Sequence, residues 1–139
     1  MLRTEITDFL PAATQALRRE VFMDEQGFTY EFDDTDHTAL HITLYDGETA
    51  AACCRIFPDG PEAWHVGRVA VRKVYRGQGL GAAVMVEAEK AAAARGASKM
   101  ALSAQKRAAE FYRKLGYTQL GEEYLDEHCP HVYMEKQLA

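Results

Sequence analysis

Val69-Ala70-Val71-Arg72-Lys73-Val74-Tyr75-Arg76-Gly77-Gln78-Gly79-Leu80-Gly81-Ala82 is the stretch whose reading decides the fold. An apolar strand leads into a glycine-rich turn, and the turn opens a helix. The first turn of a helix carries backbone N–H groups without intrahelical partners, and the helix dipole places roughly half a positive charge there. Gly77, Gly79 and Gly81 remove side chains that would hold an anion away, and they permit positive φ. The stretch therefore predicts an anion site suited to a pyrophosphate, with Arg76 adding charge at its edge. A glycine turn that serves only to start a helix reads the same way locally, so the rest of the chain has to decide.

Downstream, residues 79–95 predict a helix, with Leu80, Val84, Ala88 and Ala91 on one apolar face and Gly96 as its C-terminal cap. Residues 99–103 predict a short strand and residues 106–115 a second helix closed by Gly116. Two final strands are predicted over residues 117–125 and 132–138. Upstream, residues 64–71 predict a strand in which Gly67 marks a bulge or a close backbone approach. Residues 39–45 and 49–57 alternate as strands around the tight-turn pair Asp46-Gly47, and Pro58-Asp59-Gly60-Pro61 ends the second. At the start, residues 2–6 predict a strand and residues 9–23 a helix, with Asp8 as N-cap and Pro11 in the first turn. Residues 26–38 are irregular, and their cluster Glu31, Asp33, Asp34 and Asp36 reads as a solvated loop, or else as a rim that attracts a cationic substrate. Arg68, inside a strand, needs a partner, and this acidic loop is the expected source. The order gives a mixed α/β (α+β) sheet with helices on its faces rather than a regular βα repeat.

A chain of 139 residues fits one domain, residues 1–139, and carries no repeat, linker or low-complexity tract. Its net charge of -5 argues against a general nucleic-acid binder, which needs a basic stripe to displace counterions. The N-terminus has no apolar signal core and no run is long enough to span a bilayer, so a cytoplasmic location without membrane attachment is expected. Cys53 and Cys54 point to opposite faces of their strand and are poor disulfide partners. With Cys129 they are expected to be free thiols, and the lack of a CxxC pair gives no support for a metal site.

Three phosphate motifs compete for the glycine turn. A P-loop ends in Gly-Lys-Ser/Thr, whereas Gly81 is followed by Ala82 and Ala83. A dinucleotide fingerprint fits the letters Gly77, Gly79 and Ala82. It belongs in a first βαβ unit with an acidic residue about 20 residues on, and residues 96–106 contain none. The third is the coenzyme A turn of the GNAT superfamily of N-acetyltransferases: Gln or Arg, two residues, Gly, one residue, Gly or Ala. Arg76, Gly79 and Gly81 satisfy it. Residues 105–117, from Gln105 through Phe111-Tyr112 to Gly116-Tyr117, resemble the second GNAT signature, with Gln105 in place of the usual Asn. Leu17-Arg18, Val21-Phe22, Glu25-Gln26, Gly67-Arg68-Val69, Ala104-Gln105 and Pro130-His131 resemble the bacterial ElaA/YjcF-like branch over nearly the whole chain. Residues 127–131 depart from it, because this chain has no glycine in that turn.

The resemblance implies a mostly antiparallel central sheet of about six to seven strands flanked by helices, and a transfer of the acetyl group of acetyl-CoA to a primary amine of a small molecule or peptide. It implies that Val69, Ala70, Val71, Arg76, Gly77, Gln78, Gly79, Leu80, Gly81 and Ala82 bind the coenzyme, together with Gln105, Phe111 and Tyr112. Tyr112 matches the tyrosine that protonates the departing thiolate, and backbone N–H groups around Val69 and Val71 are placed to polarise the thioester carbonyl. The amine attacks directly and must be neutral, although a free alkylamine has a pKa near ~10.4. His65 is the candidate base, with Glu25, His41 or water as alternatives. Cys129 near His131 invites a nucleophilic-cysteine reading that direct transfer does not need. No metal is expected, and GNAT domains often form homodimers. A non-catalytic acyl-CoA sensor would carry the same glycine turn, and a nicotinamide-dependent oxidoreductase would use the same glycines.

Overall fold

The computed structural model describes residues 2–138. Seven strands form one sheet in the order β1-β2-β3-β4-β5-β7-β6: β1 (Leu2–Thr7), β2 (Leu40–Asp46), β3 (Thr49–Pro58), β4 (Ala63–Val71), β5 (Lys99–Gln105), β6 (Thr118–Asp126) and β7 (Cys129–Gln137). Neighbours pair antiparallel except β4 and β5, which are parallel. The long connection between those two holds α2 (Leu80–Ala93), as a parallel crossover requires.

Each face of the sheet has its own core. On one, the predicted stripe of α2 buries Leu80, Val84, Ala88 and Ala91, joined by Met85 and Ala92, against Ile42, Cys54, Ile56, Val66, Met100 and Met134. On the other, Leu17, Val21, Phe22 and Phe28 cover Tyr45, Ala50, Cys53 and Ala70. Cys53 and Cys54 fall in different cores, as strand alternation predicts, and both thiols are free. Full burial of one such aliphatic side chain stabilises the fold by about 1.5–3 kcal/mol.

The first helix differs from its prediction. It opens at α1 (Ala12–Arg18), with Pro11 at the N-cap position and no capping hydrogen bond from a side chain. Asp8 is therefore not the cap, and Phe9 lies outside the helix, 60% exposed. From Arg19 to Glu25 the chain continues as a π-helix. The wider turn still keeps Val21 and Phe22 on the core. The predicted helix 106–115 begins as a 3₁₀ turn and becomes α3 (Ala109–Lys114).

Two irregularities shape the middle of the sheet. Cys53 faces Ala70 and Arg55 faces Gly67, so Cys54 alone stands opposite Arg68 and Val69. That is a β-bulge at the predicted place, but the left-handed residue is Arg68, at φ 54°, rather than Gly67. Beside it, β4 pairs with β5 only over Ala63–Val66, and the register stops at Val66↔Leu102. Beyond that point the two strands part.

Candidate active site

The parting of β4 from β5 opens two cavities. The first, about 400 Å³, lies under residues 25–31 and is walled by Phe28, Phe57, His65, Arg68, Ser103 and His131 among others. The second, about 360 Å³, runs along Val69, Ala70 and Val71 to Gly77, Gly79, Leu80, Gly81 and Ala82, with Phe111 on its far side. Gln26, Val69, Arg76, Ala108 and Tyr112 line both. The predicted coenzyme residues are thus gathered in one groove, with two exceptions. Gln78 is exposed and does not line it. Gln105 lies in the first cavity, where its Nε2 donates to Gln26 Oε1 at 2.7 Å.

The groove's shape follows from its glycines. Gly77 and Gly79 sit at φ 81° and 78°, conformations that other residues rarely adopt. Gly79 is the residue just before α2, so the backbone N–H groups of the first turn face the open end of the helix. Gly81 has a different reason: a Cβ there would stand 3.1 Å from Phe111 Cζ. The bare backbone lets the ring close over the helix start. A backbone-lined anion cradle that narrows beside an aromatic ring fits a pyrophosphate with an attached arm.

Arg76 does not stand free at the edge of that cradle. It makes two bonds to Glu25, at 2.6 and 2.7 Å, and its Nε donates to the Val71 carbonyl at 2.9 Å. The Arg76 hydrogen bonds hold the Glu25 carboxyl below its ordinary range, so Glu25 is a poor base. His41 is also ruled out by position. It is buried, with Nε2 against the Asp36 carbonyl at 2.9 Å, and it lines neither cavity.

His65 lines the first cavity, stacked on Phe57 with ring centroids 5.0 Å apart and Nδ1 3.9 Å from Asp59 Oδ2. Burial lowers its pKa, only partly offset by Asp59, so the ring is neutral at pH 7. Tyr112 is 8% exposed at the junction of the cavities. Burial, then the nearby Cys54, raises its pKa, which keeps the phenol protonated. At the bulge, Cys53 Sγ lies 3.5 Å from the Arg68 carbonyl, which therefore points toward β3. A trans peptide points the Val69 N–H away from that thiol.

Cys129 is a bystander. Its thiol lies 3.7 Å from the Pro130 carbonyl and burial raises its pKa, while His131 Nδ1 bonds the Cys129 carbonyl at 2.9 Å instead of the sulfur.

The acidic loop is only half solvated, with Asp33 and Asp34 exposed. Glu31 and Asp36 are buried, 4% and 6% exposed. Arg18 bonds both, at 2.8 and 2.7 Å; Arg55 bonds Asp33 and Asp36; and Arg68 pairs with Glu31 at 3.0 Å, as its need for a partner predicted. Only the partners, which lie far along the chain, separate this ion cluster from a surface loop. The last turn also differs from expectation. It is reduced to Glu127-His128, because Asp126 pairs with Cys129 and Pro130 and His131 are already in β7. Glu127 takes φ 54° without glycine, and its carboxylate accepts bonds from the N–H groups of Thr29 and Tyr30. Sequence reading missed this tie, since residues 98 positions apart leave no local signal.

Comparison with known proteins agrees with this geometry. A family model for the acetyltransferase (GNAT) domain matches residues 7–138. The uncharacterized N-acetyltransferase YjcF of Bacillus subtilis is 38% identical over 130 residues, covering 86% of this chain and 87% of its own. A candidate N-acetyltransferase from Lactobacillus plantarum superposes with a TM-score of 0.92 at 31% identity, over 99% of each chain. An acyl-CoA N-acyltransferase from Pseudomonas aeruginosa does so at 0.87 and 28%, over 98% and 99%. Escherichia coli ElaA shares the fold, with a TM-score of 0.87 at 24% identity over 99% and 100% of the two chains. The chain accordingly belongs to the GNAT acetyltransferase family, with YjcF among its relatives.

Proposed function

We propose that residues 1–139 act as one domain that transfers the acetyl group of acetyl-CoA to a primary amine, by direct attack within a ternary complex. The supporting observation is the meeting of the two cavities at Tyr112, one built of backbone amides and glycines and the other of side chains. Acetyl-CoA is the acyl-donor substrate and supplies the thioester. In this reading residues 77–82 hold the pyrophosphate and Val69–Val71 line the path of the arm.

The chain's own groups then divide the chemistry. Val69 N–H donates to the thioester oxygen as negative charge grows on it. His65, neutral at pH 7, takes the proton of the attacking amine, directly or through water. Tyr112, protonated, gives its hydroxyl proton to the leaving sulfur. The products are an amide and free coenzyme A, with no covalent enzyme intermediate.

The test is thiol release from acetyl-CoA across a panel of primary amines, beside equilibrium binding of coenzyme A. Wild-type protein should bind the coenzyme and release thiol only when an amine is present. Tyr112→Phe should keep the affinity and lose about 10²–10⁴ in kcat. Binding without amine-stimulated release would make the protein a sensor, and competition by NAD would point to the oxidoreductase alternative.

A further inference from the structure

We infer that Arg68 is a positioning residue, whose ion pairs with the acidic loop hold the β4 bulge in the shape that sets the direction of Val69 N–H. The catalytic half of this inference rests on the acetyl-transfer reading; the geometric half does not.

The starting observation is a mismatch. Arg68 occupies φ 54°, a region where side chains other than glycine are uncommon, while the adjacent Gly67 does not use it. Something outside the backbone has to favour that conformation. The guanidinium supplies it: Nε donates to the Glu31 carbonyl at 3.0 Å and stands 3.0 Å from the Glu31 carboxylate, and the outer nitrogen reaches Asp33 at 3.3 Å. These anchors are themselves fixed. Glu31 is bonded by Arg18 of α1 at 2.8 Å, and Asp33 by Arg55 of β3 at 2.7 and 3.1 Å. The Cys53 thiol, at 3.5 Å, secures the other side of the bulge through the Arg68 carbonyl. A sparsely populated backbone conformation persists when its surroundings over-determine it, and such positions cluster where geometry serves function. The same loop roofs the first cavity, so Arg68 ties the roof to the strand that carries the reacting groups.

Methionine and glycine at position 68 separate this role from a backbone that takes the angle unaided, since both delete the guanidinium and only glycine takes positive φ freely. Arg68→Met, unbranched like arginine but without its charge, should lose about 10²-fold in kcat, the cost of one misplaced oxyanion donor, with coenzyme A affinity unchanged. Arg68→Gly should recover part of that loss. The Val69 amide resonance in valine-labelled protein should shift in Arg68→Met and move back toward its wild-type position in Arg68→Gly. A methionine variant that keeps both the amide position and the rate would overturn the inference, as would equal loss of kcat in the two variants. If wild-type protein releases no thiol with any amine, the functional reading fails, and the amide spectra still decide whether Arg68 holds the bulge.

Discussion

At the scale of single residues, environment suits Tyr112 and His65 to the acid and base roles proposed for them. Tyr112 and His65 are ordinary side chains whose burial pushes their pKa values in opposite directions, up for the phenol and down for the imidazole. Each is thereby kept in the protonation state that its proposed task needs. The pH dependence follows from the sign of the histidine shift. Its folded pKa lies below the ordinary ~6.5, so the base is active at neutral pH and is lost only as pH falls through that depressed value. The ratio of kcat/KM between wild type and His65→Gln should therefore be flat above about pH 6.5 and fall toward unity at lower pH. Using the ratio cancels the acceptor amine's own titration, and a ratio that stays constant through the acid range would remove His65 from the mechanism. The sequence made both residues legible by type and position. It could not place Glu25 and His41, because their fates depend on Arg76 and Asp36, contacts made only after folding.

At the scale of elements, the glycines of the turn illustrate two separate constraints. Gly79 needs its left-handed angle and has open space around it, whereas Gly81 has a helical angle and a crowded one. Gly79→Ala should therefore lower stability by about 1–2 kcal/mol, the strain of a left-handed L-residue. Gly81→Ala should leave stability level or slightly higher, since alanine favours helix, but should weaken coenzyme binding by displacing Phe111 into the groove. Chemical unfolding and calorimetric titration of the two variants would show the opposite rankings. Helices and strands were readable because their periodicities are local: the α2 stripe and the β2–β3 hairpin lie where the pattern puts them. Exact ends and special turns were less so. The π-helix after Arg18, the cap at Pro11 and the two-residue turn at Glu127 are set by what those segments pack on.

At the scale of the whole molecule, charge is handled as a closed account within the fold. Arg18, Arg55 and Arg68 meet Glu31, Asp33 and Asp36, three cations with three anions, and this neutralisation joins the burial of Phe28 in seating the loop. That balance removes the basis for expecting the acidic loop to draw in a polycation. It also makes one residue critical: Arg18→Met would leave Glu31 and Asp36 as buried charges short of a partner, a change that costs about 3–5 kcal/mol. Urea unfolding should show that loss, and adding Asp36→Asn should recover part of it. Among the described residues no helix is long and apolar enough to cross a membrane. The sheet itself is two panels, β1–β4 and β5–β7, hinged by only four residue pairs between Ala63 and Val66. A ligand lying in the open wedge past that hinge would act as a spar between the panels, so the protein would reach its full stiffness only while gripping the molecule it consumes.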